Sequence, residues 1–119
     1  MLNYKKDKVM ATTLNFREVS IKNEVKNNGR EAKLIAEFSG RILPTLKISN
    51  YKIDLFNLQQ RLNNLKDGSI IVFGRSDEFC DIIVSNYDRT VSRIHCYIRK
   101  NGNGFELFDC SLNGTQVIL

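Results

Sequence analysis

The sequence predicts an all-β fold: an antiparallel β-sandwich with one short helix, at about residues 54–67, inserted before a run of strands. Two observations lead to this prediction. From residue 69 onward, short apolar stretches alternate with turn signals such as Lys100-Asn101-Gly102-Asn103-Gly104, and Asn-Gly tolerates the positive φ of tight hairpins. Between residues 54 and 67 the period changes, because leucines recur at helical spacings of three and four: Leu55, Leu58, Leu62 and Leu65.

The first half of the chain supplies weaker signals. Leu14, Phe16, Val19 and Ile21 alternate imperfectly with polar residues, which predicts a strand over residues 12–21. Asn27-Asn28-Gly29 then indicates a turn within a loop over residues 20–33. We expect a second strand over residues 33–38 and a third extended stretch over residues 45–53, with a kink near Asn50.

The helix and the strands after it are better marked. Asp54 can cap the N-terminus of the helix and Gly68 its C-terminus. A leucine stripe of this kind faces a core more often than a partner, so we expect it to be buried. The strands that follow are predicted over residues 69–73, 81–84, 91–99, 105–108 and 115–119.

Length and composition fit one domain, with 119 residues of which 42% are hydrophobic. We expect residues 1–8 to be a flexible leader and residues 9–119 to form a single domain. No apolar run approaches the ~20 residues of a membrane span, so no membrane partner is expected. Three widely spaced cysteines do not make a disulfide framework, which favours a reduced, cytoplasmic protein.

The net charge of +5 comes entirely from the first half of the chain. Residues 1–60 carry 11 basic and 6 acidic side chains, whereas residues 61–119 carry 7 of each. A basic half can bind nucleic acid or another acidic partner. Here the cations are spread out and interrupted by acids, which favours a solvated face over nucleic-acid binding.

Three polar clusters lie at predicted strand ends or in connecting loops, where binding residues gather on a sandwich. They are Gly74-Arg75-Ser76, Ser92-Arg93-Ile94-His95 and Ser111-Leu112-Asn113-Gly114-Thr115. Arg75 and Arg93 supply forked donors and Ser92 supplies a hydroxyl. Charge and directional hydrogen bonds of this kind are what a tetrahedral dianion requires.

The order and spacing of these clusters are more specific than any one of them. Together with Cys80-Asp81-Ile82 and Asp109, they resemble the fork-head-associated (FHA) domain over about residues 68–119. That family is a β-sandwich that binds phosphothreonine peptides. The resemblance therefore implies a phosphothreonine-containing protein or peptide as the partner.

The resemblance also implies roles for individual residues. Arg75 and Ser92 would contact the phosphate, and Arg93 stands where the family often places a second polar or basic contact. Asn113 would hydrogen-bond the main chain of the bound peptide. Leu112 replaces a small hydroxyl residue of many family members, so only its backbone N–H could serve the phosphate.

The remaining implied roles are structural or concern specificity. Gly74 gives room at the strand end, His95 braces the loops from behind, and Gly114 permits the turn after the preceding asparagine. The loop over residues 86–90, with Arg89 and Thr90, is the predicted specificity element for residues that flank the phosphothreonine. Arg89 would favour acidic ones.

The family normally continues for several strands after Asn-Gly-Thr, whereas only four residues follow Thr115 in this sequence. Two arrangements account for this difference. The chain is a fragment of a longer protein, which we favour, or residues 12–53 supply strands that normally come last.

We expect no enzyme, no metal and no cofactor. His95 has no serine and acid at usable spacing, and the adjacent Cys96 would point to the opposite face of a strand. The cysteines are predicted to be small core residues, and Asp109 to cap a turn. The predicted function is phosphothreonine-peptide recognition. The alternative is an FHA-like structural or assembly domain that has lost phosphate binding.

Overall fold

The computed structural model describes residues 15–119, so the leader predicted over residues 1–8 lies outside the described residues. The elements in chain order are α1 (Phe16–Asn27), β1 (Lys33–Ser39), β2 (Thr45–Ile48), β3 (Tyr51–Asp54), a 3₁₀ turn (Leu55–Leu58), α2 (Gln59–Asn63), β4 (Ile70–Gly74), β5 (Ile82–Ile83), β6 (Cys96–Asn101), β7 (Gly104–Asp109) and β8 (Gln116–Ile118). No helix among these residues is long and apolar enough to cross a membrane.

The strands form two sheets, and this confirms the predicted β-sandwich. Sheet A has the order β1-β7-β6-β4-β5, and sheet B has the order β3-β2-β8. All neighbours are antiparallel except β4 and β5, which pair in parallel. The two-residue pairing of β5 with β4 is the one exception, among the described residues, to the antiparallel arrangement that the sequence predicts.

The main core lies between the two sheets. Alternate residues of β4, Ile71 and Phe73, join Leu46 and Ile48 of sheet B in this core. Because successive side chains of a strand point to opposite faces, Ile70 and Val72 lie on the outer face of sheet A, in a second cluster. All five residues of β4 are buried, so both faces of this strand are covered.

Helix α1 covers that outer face, and the strand predicted over residues 12–21 is wrong for residues 16–21. The loop predicted over residues 20–33 is also wrong as far as Asn27. The helix begins because the Asn15 side chain accepts a hydrogen bond from the Glu18 N–H at 2.9 Å. Ile21 and Val25 pack into the second cluster. Phe16 is 81% exposed, so the apparent alternation does not mark a buried face.

A buried carboxylate also holds α1 to the sheet. Glu18 is 5% exposed, accepts the Tyr97 hydroxyl hydrogen at 2.7 Å and pairs with Arg99 at 2.9 Å. Burial and this carboxylate raise the pKa of Tyr97 well above its usual value. The polar residue thus occupies a core-facing position because the sheet supplies its donors.

The helix predicted over residues 54–67 is shorter than expected. Asp54 caps it as predicted, accepting from the Phe56 N–H at 3.0 Å, but one 3₁₀ turn precedes the five residues of α2. Leu55 and Leu62 are fully buried, whereas Leu58 and Leu65 pack against the core only in part. The chain turns at Gly68, which has φ +83°, five residues beyond α2, so Gly68 does not cap the helix.

Two predicted extended stretches also have different bounds. Residues 45–53 form the hairpin β2–β3, with Ser49 at φ +57° in its turn. The strand predicted over residues 91–99 begins only at Cys96. The first part of the predicted strand, residues 91–95, forms hydrogen bonds with the end of β4 and with the His95 ring, and it is not part of a β-strand.

Strands from before the polar clusters complete both sheets. β1 pairs with β7, and β2 pairs with β8. Residues 33–48 thus lie beside the strands that border the last loop.

Candidate functional site

Four segments meet around an open cleft of about 170 Å³ at one end of sheet A, where β4 ends, β6 begins and β7 ends. We call it the arginine cleft. It is lined by Arg75 after β4, by Arg89, Ser92, Arg93 and Ile94 before β6, by Cys110 and Leu112 after β7, and by Glu24, Val25, Asn28 and Arg30 in and after α1.

Gly74 lets the loop before β6 approach the end of β4. A Cβ on this residue would lie 2.4 Å from the Arg93 carbonyl oxygen and 2.9 Å from that of Ser92. The next residue uses this closeness, because the Arg75 N–H donates to both carbonyl oxygens at 3.1 Å. Only glycine fits at this position, and the loop's backbone is fixed to the strand end.

The Arg75 side chain is anchored at one nitrogen only. Its Nε donates to the Val91 carbonyl oxygen at 2.9 Å. Its two terminal nitrogens have no hydrogen-bond or ion-pair partner among residues 15–119. An arginine in this state offers the end-on pair of donors that binds two oxygens of one anion.

Ser92 lies beside it and is 7% exposed. Its Oγ accepts the Leu112 N–H at 3.0 Å, and its own hydroxyl hydrogen is not donated within the described part of the chain. The Leu112 N–H, which we expected to be available to a phosphate, is therefore already engaged. The Leu112 side chain is 70% exposed.

His95 joins the two loops from behind. Its Nδ1 accepts the Ser92 N–H at 3.0 Å, and its Nε2 donates to the Gly114 carbonyl oxygen at 2.9 Å. Burial lowers the pKa of His95, which favours the neutral ring that these two bonds require. Gly114 has φ +94°, a conformation that suits glycine. This geometry fits the predicted bracing role.

The last loop is ordered by its own side chains. Asp109 accepts hydrogen bonds from the hydroxyls of Ser111 and Thr115, both at 2.8 Å, and so closes the predicted turn. Asn113 is exposed and donates through Nδ2 to the Thr90 carbonyl oxygen at 3.2 Å. Asn113 lies next to the arginine cleft without lining it, and its amide oxygen accepts no hydrogen bond within residues 15–119.

The predicted specificity loop is also held internally. Asp88 accepts from the Thr90 N–H at 2.9 Å and from the Tyr51 hydroxyl at 3.0 Å. The hydrogen bonds from Thr90 lower the pKa of this carboxyl group. Arg89 lines the arginine cleft, but Asp88 and Thr90 do not. The Asp88 carboxylate is thus bound within its own loop and by Tyr51.

Arg93 is the one sequence-predicted contact that already has an ionic partner. Its guanidinium lies 3.5 Å from Glu24 of α1 and 5.5 Å from the centre of the Phe79 ring. Sequence analysis missed Glu24 and Arg30, because it placed no helix there. The signals that could have found them are the cap at Asn15-x-x-Glu18 and the helix-ending Asn28-Gly29.

The cysteines are not poised for reaction. Burial raises the pKa of Cys80 to about 11 and that of Cys110 to about 12, and it raises that of the fully buried Cys96 as well. All three are free thiols. Among residues 15–119 no group of three His, Cys, Asp or Glu side chains could hold a metal ion.

All the clusters that define the arginine cleft on its sheet side fall within one segment of the chain. Residues 71–118 match the family model of the FHA domain. This match confirms the resemblance predicted from the motifs. FHA domains mediate phosphopeptide-dependent protein interactions and are interaction modules rather than enzymes. Searches of curated proteins and of solved structures gave no significant match to the chain.

The FHA match begins at residue 71, so α1 and β1–β3 lie outside it on the N-terminal side. It includes Arg75, Ser92, Arg93, His95, Asn113 and Gly114, and it excludes Glu24 and Arg30. One wall of the arginine cleft is therefore built by residues within the FHA match and the other by a helix outside the match.

Proposed function

We propose that this protein is a phosphothreonine-peptide recognition module that makes a protein–protein interaction depend on phosphorylation. The observation that carries the proposal is the pair Arg75 and Ser92. They lie in one cleft, with two terminal guanidinium nitrogens and one hydroxyl hydrogen unengaged within residues 15–119. Binding of this kind needs no nucleophile and no cofactor.

Each group has a distinct task. Arg75 would bind two phosphate oxygens end-on while Val91 holds its Nε. Ser92 would donate its hydroxyl to a third, and Arg93 would add positive charge from the α1 side of the cleft. Asn113, bridged to Thr90, would use its free amide oxygen to fix the peptide main chain. Arg89 would favour acidic residues flanking the phosphothreonine.

Threonine rather than serine is the finer part of the proposal. The apolar residues that line the cleft, Val25, Ile94 and Leu112, are the candidates for a niche that fits the extra methyl. Burying one methyl is worth ~0.8 kcal/mol, or about fourfold in affinity, so larger discrimination requires close shape fit. We also place the module in the cytoplasm, since its three cysteines are unpaired.

The test is a titration of a phosphothreonine peptide library against the same library without phosphate. We expect binding only to the phosphorylated library. Arg75→Ala should abolish it, and Arg75→Lys should recover only part, because a point charge does not reproduce the fork. Ser92→Ala should weaken binding by the ~1.5–3 kcal/mol of a hydrogen bond to a charged group.

Arg41→Ala is the matched control, because it removes an exposed arginine outside the arginine cleft. It should leave binding unchanged. If folded Arg75→Ala protein binds the phosphopeptides as well as wild type does, the proposal is wrong.

A second candidate is an FHA-like assembly domain without phosphate binding. Two observations favour it: the Leu112 N–H is used by Ser92, and Arg93 is paired with Glu24. Equal binding of the phosphorylated and unphosphorylated libraries, or of neither, would select this candidate.

A further inference from the structure

The second wall of the arginine cleft is a built part of the fold. Helix α1 is fixed on sheet A by Ile21 and Val25, which are 2% and 3% exposed, and by the buried Glu18. Val25 also lines the cleft. The position of this wall is therefore set by packing against sheet A.

The way in which α1 ends brings a further cation to the cleft. Gly29, at φ +77°, donates to the Lys26 carbonyl oxygen at 2.9 Å, and the Arg30 N–H donates to that of Val25 at 3.1 Å. These two bonds form a Schellman motif, which turns the chain sharply after the helix. Arg30 follows this turn directly and lines the cleft.

The charge of the cleft exceeds what one phosphate needs. Four arginines and one glutamate line it, which leaves a formal excess of three positive charges. A phosphothreonine carries about −1.5 to −2 at neutral pH. With Arg75 and Ser92 assigned to that phosphate, Arg30 and Arg93 remain on the α1 side.

Glu24 is the acid that pairs with one of these two cations, Arg93. Its carboxylate lies 3.5 Å from Arg93 and 3.4 Å from the Asn28 side-chain amide. The Arg93 and Glu24 side chains are 44% and 28% exposed, and ion pairs this open to solvent are weak. An anion with better geometry can therefore take the place of Glu24 at Arg93.

We propose that Arg30 and Arg93 form a second anion subsite, which takes a second acidic group of the same phosphopeptide, and that Glu24 is the resident acid it displaces. The group is a carboxylate or a second phosphate close to the phosphothreonine. This inference rests on the proposed function, since the phosphothreonine holds the peptide in the cleft. The anion is held by the arginine side chains. The backbone at the end of α1 does not contribute, because it presents carbonyl oxygens, which repel an anion.

The test uses three kinds of synthetic peptide built on one sequence, with affinities measured by isothermal titration calorimetry. The first has a phosphothreonine with neutral flanks. In the second, one glutamate is scanned through the four positions on either side, and in the third a phosphoserine is scanned likewise. At the best position wild type should bind an acidic peptide about tenfold more tightly than the neutral one. The second and third peptides distinguish carboxylate from phosphate.

Three variants separate the subsite from the general charge. Arg30→Ala should lower affinity for the best acidic peptide about tenfold and for the neutral peptide much less. Lys26→Ala, which removes an exposed lysine of α1 that does not line the cleft, should leave both affinities unchanged. Glu24→Gln should raise affinity for the best acidic peptide more than for the neutral one, because only the acidic peptide has to displace the Glu24 carboxylate, and glutamine keeps a similar shape.

The affinity for the neutral peptide tests the proposed function. The ratio of the affinity for the best acidic peptide to the affinity for the neutral peptide tests the subsite. If wild type binds the neutral peptide but no acidic one more tightly, the subsite is wrong and the proposed function stands. Equal loss of the ratio in Arg30→Ala and Lys26→Ala would also overturn it, since that result indicates a diffuse field. If no peptide binds, both proposals fail. Urea unfolding should show that each variant is folded.

Discussion

Replacing Gly74 by alanine tests how the site is held to the sheet. The new Cβ would lie 2.4 Å from the Arg93 carbonyl oxygen, and ordinary contact begins about 1 Å farther away. Because the atom it meets is backbone, no side-chain rotation relieves the clash. The loop has to retreat, which weakens the bonds from the Arg75 and Ser76 N–H groups to that loop, each 3.1 Å long.

Overpacking of this kind costs ~1–3 kcal/mol, and each weakened hydrogen bond adds up to ~1 kcal/mol. We therefore expect Gly74→Ala to lower the free energy of unfolding by about 3 kcal/mol. Urea unfolding followed by circular dichroism measures it. The displaced Ser92 should also weaken phosphopeptide binding in the protein that remains folded.

Gly40→Ala is the control. Its Cβ would meet only Asn63 Oδ1 at 3.5 Å and Phe105 Cε2 at 3.6 Å, and neither Gly40 nor Gly74 has a positive φ. Both variants lose the same glycine entropy in the unfolded chain, so their difference isolates the contact. Equal stability of the two, with unchanged phosphopeptide affinity, would refute the argument that close approach at Gly74 positions the loop.

Three further measurements address the supports of the site. Burial lowers the pKa of His95 below its ordinary 6.5, so the unfolded chain takes up a proton at a higher pH than the folded protein does. The free energy of unfolding should therefore fall as the pH decreases below about 6.5, by up to ~1.4 kcal/mol per pH unit. A free energy from urea unfolding that stays constant from pH 7.5 to 5 would contradict this. Leu62→Ala should lower the free energy of unfolding by ~2–5 kcal/mol, and Leu58→Ala should lower it less, because Leu58 is only partly buried. A lower melting temperature for Leu58→Ala than for Leu62→Ala would contradict this order of burial. Glu18→Ala should cost about 3 kcal/mol, because it leaves the Tyr97 hydroxyl and one terminal nitrogen of Arg99 without their acceptor. The exposed Glu31→Ala should be neutral, and equal melting temperatures of the two variants would argue against the buried pair.

The sheet side of the site was predictable because its signals are local. Gly74-Arg75 and Asn113-Gly114 each lie beside a strand with clear turn chemistry, so their positions at strand ends followed from the order of residues along the chain. Ser92-Arg93 lie in the loop before β6 and not, as predicted, at the start of a strand. The hairpin at Asn101-Gly102 is of the same kind, and Gly102 has φ +61°. The roles proposed for these residues stay predictions until binding is measured.

Helix α1 was not predictable from periodicity, because its buried face holds only two apolar residues and one carboxylate. Tyr97 and Arg99, which donate hydrogen bonds to Glu18, lie about 80 residues later in the chain. One clue was present in β4: an unbroken apolar run such as Ile70–Phe73 is typical of a strand covered on both faces. Some element had to cover the outer face.

The pairing of early strands with late ones governs when this protein can fold during its synthesis. Lys33 of β1 lies opposite Asp109 of β7, and Thr45 of β2 lies opposite Ile118 of β8. The ribosome must therefore complete β7 before sheet A gains its β1 contacts, and β8 before sheet B gains its third strand. Such non-local closure slows folding and leaves apolar strands unpaired in the meantime. In a nascent chain stalled before β7, β1 would have no strand to pair with, and Leu34 and Ile35 would not yet belong to a sheet.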